Sequence, residues 1–146
     1  MLPVKIKKLT SDAILPTYAH DGDAGMDLFS VEEVVLKSME VKLVRTGIAL
    51  SIPNGYEVQI RPKSGLALNH GITLLNTPGT IDSGYRGEIK NIMINLSNKD
   101  FKIEKGMKIA QMVFNEVERA ILEEVEELDQ TKRAGNGFGS TGLKNN

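Results

Sequence analysis

Between Ile48 and Arg61 the chain changes face at nearly every residue. Ile48, Leu50 and Ile52 alternate with Ala49 and Ser51, Pro53-Asn54-Gly55 interrupts, and Tyr56, Val58 and Ile60 alternate with Glu57, Gln59 and Arg61. Successive side chains of an extended chain point to opposite sides, so this period of two around a turn reads as a β-hairpin with one buried and one solvated face. Shorter runs repeat the pattern: Val4 and Ile6 among lysines, Val34 to Leu36, Val41 to Val44, Ile72 to Leu75, Ile89 to Leu96, Phe101 to Glu104 and Ile109 to Phe114. Glycine, proline and asparagine separate them. Many short strands predict an all-β fold. The exception is Ser64 to Leu68, which follows Pro62 and has room for one or two helical turns. Arg119 to Asp129 is ambiguous, because Ile121, Val125 and Leu128 have helical spacing; the strand-rich surroundings favour a last strand.

Two runs are apolar on both faces: Ile92, Met93, Ile94 and Leu96, and Met112, Val113 and Phe114. Such strands are buried on both sides. One two-layer domain has few places of that kind, so contact with another subunit is expected. The 146 residues fit one domain, with 40% hydrophobic and 25% charged residues. A net charge of −1 supplies no general field for nucleic acid or an anionic membrane. There is no cysteine, which excludes disulfides and thiolate catalysis, and only His20 and His70 are available for a histidine metal site. No window approaches a membrane span, and the N-terminus lacks the apolar stretch of a signal peptide, so a cytoplasmic location is expected.

The chemistry concentrates in Gly79-Thr80-Ile81-Asp82-Ser83-Gly84-Tyr85-Arg86-Gly87-Glu88. It follows the turn Asn76-Thr77-Pro78-Gly79 and precedes an apolar strand, so strand, turn and second strand are expected. Asp82, just before the turn residues, can face a cavity. Arg86 and Glu88, two apart on an extended chain, are expected to face each other. Lys63, Ser64 and Gly65 at the start of a helical turn form a small anion site; the plainer alternative is Ser64 capping that turn. Gln111 is an amide inside an apolar strand, which either pairs within the core or points into a site. Asp21, Asp23, Asp27 and Glu32 have calcium-loop spacing, but Gly25 and Met26 stand where a ligand and the turn glycine belong.

The tail, Gln130 to Asn146, places Arg133 and Phe138 among Gly135, Gly137, Gly139 and Gly142. Gly137 to Gly142 spells G-x-G-x-x-G without the strand–helix context of a dinucleotide site. Backbone donors, hydroxyls at Ser140 and Thr141, one guanidinium and one ring suit a segment that orders over a bound anion. The expected division is a β domain over residues 1–129 and a flexible tail over 130–146.

Five stretches, in order, resemble the motifs of the trimeric dUTPases (deoxyuridine triphosphate nucleotidohydrolases). They are Ala24-Gly25-Met26-Asp27-Leu28, Pro62-Lys63-Ser64-Gly65-Leu66-Ala67, Asn76 through Gly87, Lys105-Gly106-Met107-Lys108-Ile109-Ala110-Gln111, and Arg133 through Gly142. The resemblance implies a jelly-roll-like β-barrel or sandwich, a homotrimer with sites at subunit interfaces, and a tail lent by a neighbour. It implies hydrolysis of dUTP to dUMP and pyrophosphate, with Mg2+ carried by the triphosphate and no direct protein ligand to it.

Residue by residue, the resemblance makes Asp82 the base that activates a water, and Gln111 the residue ordering the water and phosphate network. Asn76, with the backbone of Gly79, Thr80, Ile81 and Lys90, would read the uracil edge, and Tyr85 would stack on the deoxyribose. Lys63, Ser64 and Gly65 would hold phosphate, and Asp27 would support the metal waters or the Lys63 cation. Phe138 would cap the uracil while Arg133, Gly139, Ser140 and Thr141 close on the phosphates. Three positions depart from the family: Lys63 for arginine, which loses bidentate holding; Gly84 for an acidic residue; and Met107-Lys108 for Asp-Arg, assigned to structure or interface. Two alternatives stand beside this reading. One is the related dCTP deaminases; the other is a nucleotide-binding regulator without turnover.

Overall fold

The computed structural model describes residues 1–138 and 140. Along the described residues run β1 (Lys5–Lys8), β2 (Met26–Phe29), β3 (Val34–Leu36), β4 (Val41–Arg45), β5 (Ile48–Ser51), β6 (Tyr56–Arg61), α1 (Ser64–His70), β7 (Ile72–Leu74), β8 (Gly79–Ile81), β9 (Lys90–Asn95), β10 (Phe101–Ile103) and β11 (Lys108–Glu116). A four-stranded sheet has the order β2-β11-β6-β8 and a three-stranded sheet the order β4-β9-β7; β1 pairs with β5, and β3 with β10. Each of these pairings is antiparallel. The architecture is mostly β, as expected. Among the described residues no sheet closes on itself, so the barrel form is not found. No helix among them is long and apolar enough to cross a membrane.

Alternation decides what each sheet buries. Val58 and Ile60 of β6, Met112 of β11 and Leu28 of β2 point inward and join Val44, Met93, Ile72 and Leu74 of the second sheet in one core cluster. The outward residues of β6 are linked instead: Gln59 Nε2 donates to Glu57 at 2.7 Å, and Arg61 Nη2 donates to Gln59 at 2.7 Å. On β9, Met93 is buried while Ile92 and Ile94 on the other face are half-buried. That outer face continues through Val41, Leu43 and Leu75, all exposed.

The strands around Pro53 form as the alternation predicts, but they do not pair with each other. β5 lies against β1, with Leu50 opposite Ile6, whereas β6 lies between β11 and β8. The chain does turn, with Tyr56 N–H bonded to Pro53 O at 3.3 Å. It passes from one sheet to another because both edges of β6 are occupied by strands from later in the chain. The same correction applies at Asp82: β8 belongs to the four-stranded sheet and β9 to the three-stranded one, so this turn spans two sheets rather than closing a hairpin.

Arg119 to Asp129 is neither strand nor helix. Ile121, Leu122 and Leu128 are 97%, 92% and 84% exposed. An amphipathic segment needs an apolar surface to fold against, and within this chain the segment has none. Helix α1 starts at Ser64, but Lys63 is its N-cap residue and no side chain caps it, so Ser64 does not cap the turn. Gly71 ends the helix with φ +66°, donating its N–H to Ala67 O.

Ile48 is 1% exposed at the centre of the core. Ile48→Ala is expected to cost about 2–5 kcal/mol, read as a lower denaturant midpoint at unchanged slope; a loss below about 1 kcal/mol would show that the core collapses around the gap.

Candidate nucleotide site

The register of the four-stranded sheet makes a polar row across three strands: Asp27 of β2 opposite Gln111 of β11, and Gln111 opposite Arg61 of β6. Pairing between β2 and β11 shifts between Lys108 and Ala110, with Lys108 opposite Phe29 and Ala110 opposite Leu28. The residue between them, Ile109, is a bulge. Without it, Lys108 and Gln111, three apart, would point to opposite faces. With it, Lys108 joins the Asp27 face, and its Nζ lies 2.7 Å from Asp27 Oδ2. Lys63, at the end of β6, donates to Asp27 Oδ1 from the other side.

Asp27 is buried, with a side chain only 7% exposed. Burial pushes its carboxyl pKa up, but hydrogen bonds from Lys108 and Lys63, and their charge, outweigh that and hold it below the usual carboxylate range. The two ammonium groups remain reachable from solvent, at 28% and 50% side-chain exposure. Lys63 directly precedes the exposed Ser64 and Gly65 at the start of α1. Gln111 fixes the loop before that helix, its Nε2 donating to Pro62 O at 3.0 Å. Its Oε1 lies 2.2 Å from where a Cβ at position 25 would sit, so a side chain there would displace the Gln111 amide. The amide therefore does not pair within the core; it ties β2, β11 and the Lys63 loop together.

A second feature lies in the gap between the sheets. A small cavity of about 50 Å³ is lined by Ile60, Leu74, Asn76, Gly79, Thr80, Ile81, Lys90, Asn91 and Ile92. All five residues expected to read a base edge are in this wall. Gly79 is buried, and the Asn76 amide nitrogen would be 3.2 Å from any Cβ added to it. The bend between β7 and β8 includes a cis Thr77–Pro78 bond.

Asp82 follows β8 directly and is exposed, in the wall of a shallow cavity with Asn54, Gly55, Tyr56, Glu57, Ser83, Val117 and Arg119. Tyr85 N–H to Asp82 O at 3.0 Å closes the turn. The Tyr85 hydroxyl donates to Glu88 O at 3.0 Å and passes over Gly87, where a Cβ would lie 2.4 Å from it. Glu88 does not face Arg86. Its carboxylate meets Arg45 at 3.1 Å and accepts the Gly47 N–H at 2.9 Å, while Arg86 donates to the carbonyls of Ser83 and Tyr85. The chain from Arg86 to Ile89 is not a strand, so the two-apart rule has no extended backbone to act on.

In the tail, Arg133 Nε donates to Asn136 O at 3.2 Å, and Phe138 and Ser140 are exposed. Gly139 and Thr141 lie outside the described residues. The predicted residues therefore form three groups in one chain: the Asp27–Lys63–Gln111 cluster, the cavity with its Asp82 turn, and the tail. Sequence reasoning missed Lys108, because nothing in the pattern shows the bulge that turns it. It also missed Asn91, visible only as an asparagine at the start of an apolar run.

A small cleft walled by backbone and an amide, a carboxylate on the residue after that wall, and two lysines on one buried carboxylate, one of them preceding a helix, are the parts of a nucleotide-handling protein. The comparisons narrow this class. The sequence model of the dUTPase family matches residues 11–142. The deoxyuridine 5'-triphosphate nucleotidohydrolase of Clostridium kluyveri is 62% identical over 137 residues, covering 94% of this chain and 96% of that one. Its counterpart from Clostridioides difficile is 57% identical over 143 residues, covering 98% and 100%. Among solved structures, the dUTPase of Staphylococcus bacteriophage 80alpha with dUpNHpp superposes with a TM-score of 0.91 at 29% identity, over 97% of this chain and 99% of that one. A phage phi11 dUTPase of S. aureus, in work on the coordination of a structural Mg(II) ion, superposes with 0.82 at 27% identity, over 88% and 99%. The chain belongs to the dUTPase family and is a hydrolase of that family.

The depressed Asp27 pKa sets a pH dependence. A carboxylate whose folded pKa lies below its unfolded value of about 3.9 contributes stability above that value and loses it as pH falls through the folded pKa. Asp27→Asn is expected to be less stable than the parent at pH 7, by about 1–3 kcal/mol for a lost buried charged partner. The gap should close below about pH 4. A gap that stays constant from pH 7 to pH 2 in urea unfolding would contradict this.

Proposed function

We propose that the chain hydrolyses dUTP to dUMP and pyrophosphate, which would keep uracil out of DNA and supply dUMP for thymidylate synthesis. The observation that carries this reading is β8 itself. Gly79, Thr80 and Ile81 stand in the cavity wall, and the next residue, Asp82, stands outside it. A base held by β8 would extend its sugar over Tyr85 and its phosphates past the carboxylate. Tight backbone around Asn76 and Gly79 would leave no space for a thymine methyl.

In the proposed step Asp82 accepts a proton from a water as that water's oxygen bonds to the α-phosphorus. The bond from the α-phosphorus to the bridging oxygen breaks, and pyrophosphate leaves with the electron pair. Lys63, Ser64 and Gly65 would hold phosphate oxygens, with Gln111 fixing their loop. Lys63 brings charge without a fork, so a second cation is useful, and Lys108 stands 2.7 Å from the same carboxylate. Arg133, Phe138, Gly139, Ser140 and Thr141 would close over base and phosphates.

Among the described residues no cluster of three or more acids or histidines could hold a metal ion. In this reading magnesium arrives with the triphosphate, where it would neutralise charge on the leaving pyrophosphate. Asp27 is the carboxylate that would meet its waters, and it is at the same time the partner of Lys63.

A homotrimer with shared sites accounts for the separation of the three groups. Supporting it are the exposed apolar face with Val41, Leu43 and Leu75, and the exposed Ile121, Leu122 and Leu128 on a segment without structure of its own. An apolar groove of about 480 Å³ lined by Leu2, Val4, Leu15, Pro16, Leu50 and Phe114 among others offers such a segment a place on a neighbouring copy.

Pyrophosphate release from dUTP, dTTP, dCTP and UTP, with and without magnesium, tests the assignment. Release is expected from dUTP in strong preference, and ammonia from dCTP without pyrophosphate would overturn it. Asp82→Asn is expected to keep dUTP binding and lose turnover by about 10²–10⁴-fold; near-normal turnover would remove Asp82 as the base.

A further inference from the structure

Asn91 lacks the partners that a buried amide requires. It is 1% exposed on β9, and neither Nδ2 nor Oδ1 of its side chain has a hydrogen-bond partner. Alternation along the strand buries Asn91, Met93 and Asn95 on one face. Asn95 shows what a structural asparagine does there. Its Nδ2 donates to Leu36 O at 2.9 Å and Lys99 O at 2.8 Å, and its Oδ1 accepts from the Ser97 N–H at 2.9 Å and hydroxyl at 2.8 Å. Asn91 has no such contacts, and its partner across the ladder is Val44. An apolar side chain would serve this core position better, since a buried amide without partners loses its hydration for nothing.

The cavity supplies the missing partner. Asn91 is in its wall, on the inward face of β9, together with the inward residues Ile60 and Leu74. Asn76, the other side-chain amide in the wall, is exposed and so stands at the mouth. An amide offers one donor group and one acceptor, the complement of the alternating carbonyl and N–H groups along a uracil edge.

We propose that Asn91 is a base-selecting residue. From the floor of the cavity its amide would hydrogen-bond the polar edge of the bound pyrimidine, directly or through one trapped water. This rests on the reading of the cavity as the base site. It adds a second selecting amide to Asn76. Asn91 acts in binding, so its removal should move KM and leave the chemical step in place.

The test compares the parent chain with Asn91→Val, Asn91→Thr and Asn76→Ala in dUTP hydrolysis and in calorimetric binding of dUMP. Asn91→Val is expected to raise KM for dUTP and Kd for dUMP about tenfold, the loss of one buried hydrogen bond. Its kcat should stay within about threefold and its melting temperature should not fall, because an orphan polar group has been removed. Asn91→Thr, which keeps a hydroxyl, should recover part of the affinity. Unchanged dUMP binding in Asn91→Val beside weakened binding in Asn76→Ala would overturn the Asn91 assignment and leave the base site standing. Unchanged binding in both would overturn the base site as well. Should Asn91→Val fail to fold, the Asn91 side-chain amide protons of the parent chain decide. Slowed exchange with solvent on saturation with dUMP supports the contact, and unaltered exchange overturns it.

Discussion

The register of β11 between β2 and β6 is the constraint on which the rest depends. It places Met112 in the core and Gln111 on the opposite face, between Asp27 and Arg61. A slip of one residue would bury Gln111 and expose Met112, since the side-chain period of a strand is two. The bulge at Ile109 adds a second effect. It lets Ile109 and Ala110 both be buried and turns Lys108 to the side of Asp27, where one buried carboxylate is shared by two lysines. Core packing and the cation cluster are thus two sides of one strand. The same sheet ends in β8, so the proposed base wall and the proposed catalytic carboxylate are referred to the same frame.

The strands themselves were legible, because burying one face of an extended chain leaves a period of two in the residues. Tyr56 to Arg61 and Phe101 to Ile103 follow it closely. Which strand pairs with which was not legible. Ile48 to Ser51 alternates as well as Tyr56 to Arg61 does, yet the two belong to different sheets, and local pattern carries no information about a partner from elsewhere in the chain. Arg119 to Asp129 failed for a related reason. Its apolar residues have no surface within this chain, so neither period has anything to act on.

The site divides in the same way. Asn76, Gly79, Thr80, Ile81 and Lys90 were grouped by the resemblance to the dUTPase motifs, and one cavity gathers all five. Lys63 and Asp27 are thirty-six positions apart; only the resemblance offered Asp27 as support for the Lys63 cation, and the structure makes that contact. Lys108 was assigned, with Met107, to structure or interface; the bulge at Ile109 turns it to Asp27 instead. Glu88 was paired with Arg86 on the assumption of an extended backbone, and the bend at Gly87 gives it to Arg45 instead. Asn91 is informative only once its burial and its missing partners are known.

The proposal that separate copies contribute Asp82 and the Gln111 cluster to one site can be tested by complementation. Asp82→Asn and Gln111→Ala chains, each nearly inactive alone, would be unfolded together, refolded and assayed for pyrophosphate release from dUTP. Shared sites predict that the mixture recovers a substantial fraction of parental activity, because some sites then combine an intact Asp82 from one copy with an intact Gln111 from another. A mixture no more active than the sum of its two components would contradict it and place the whole reaction within a single chain.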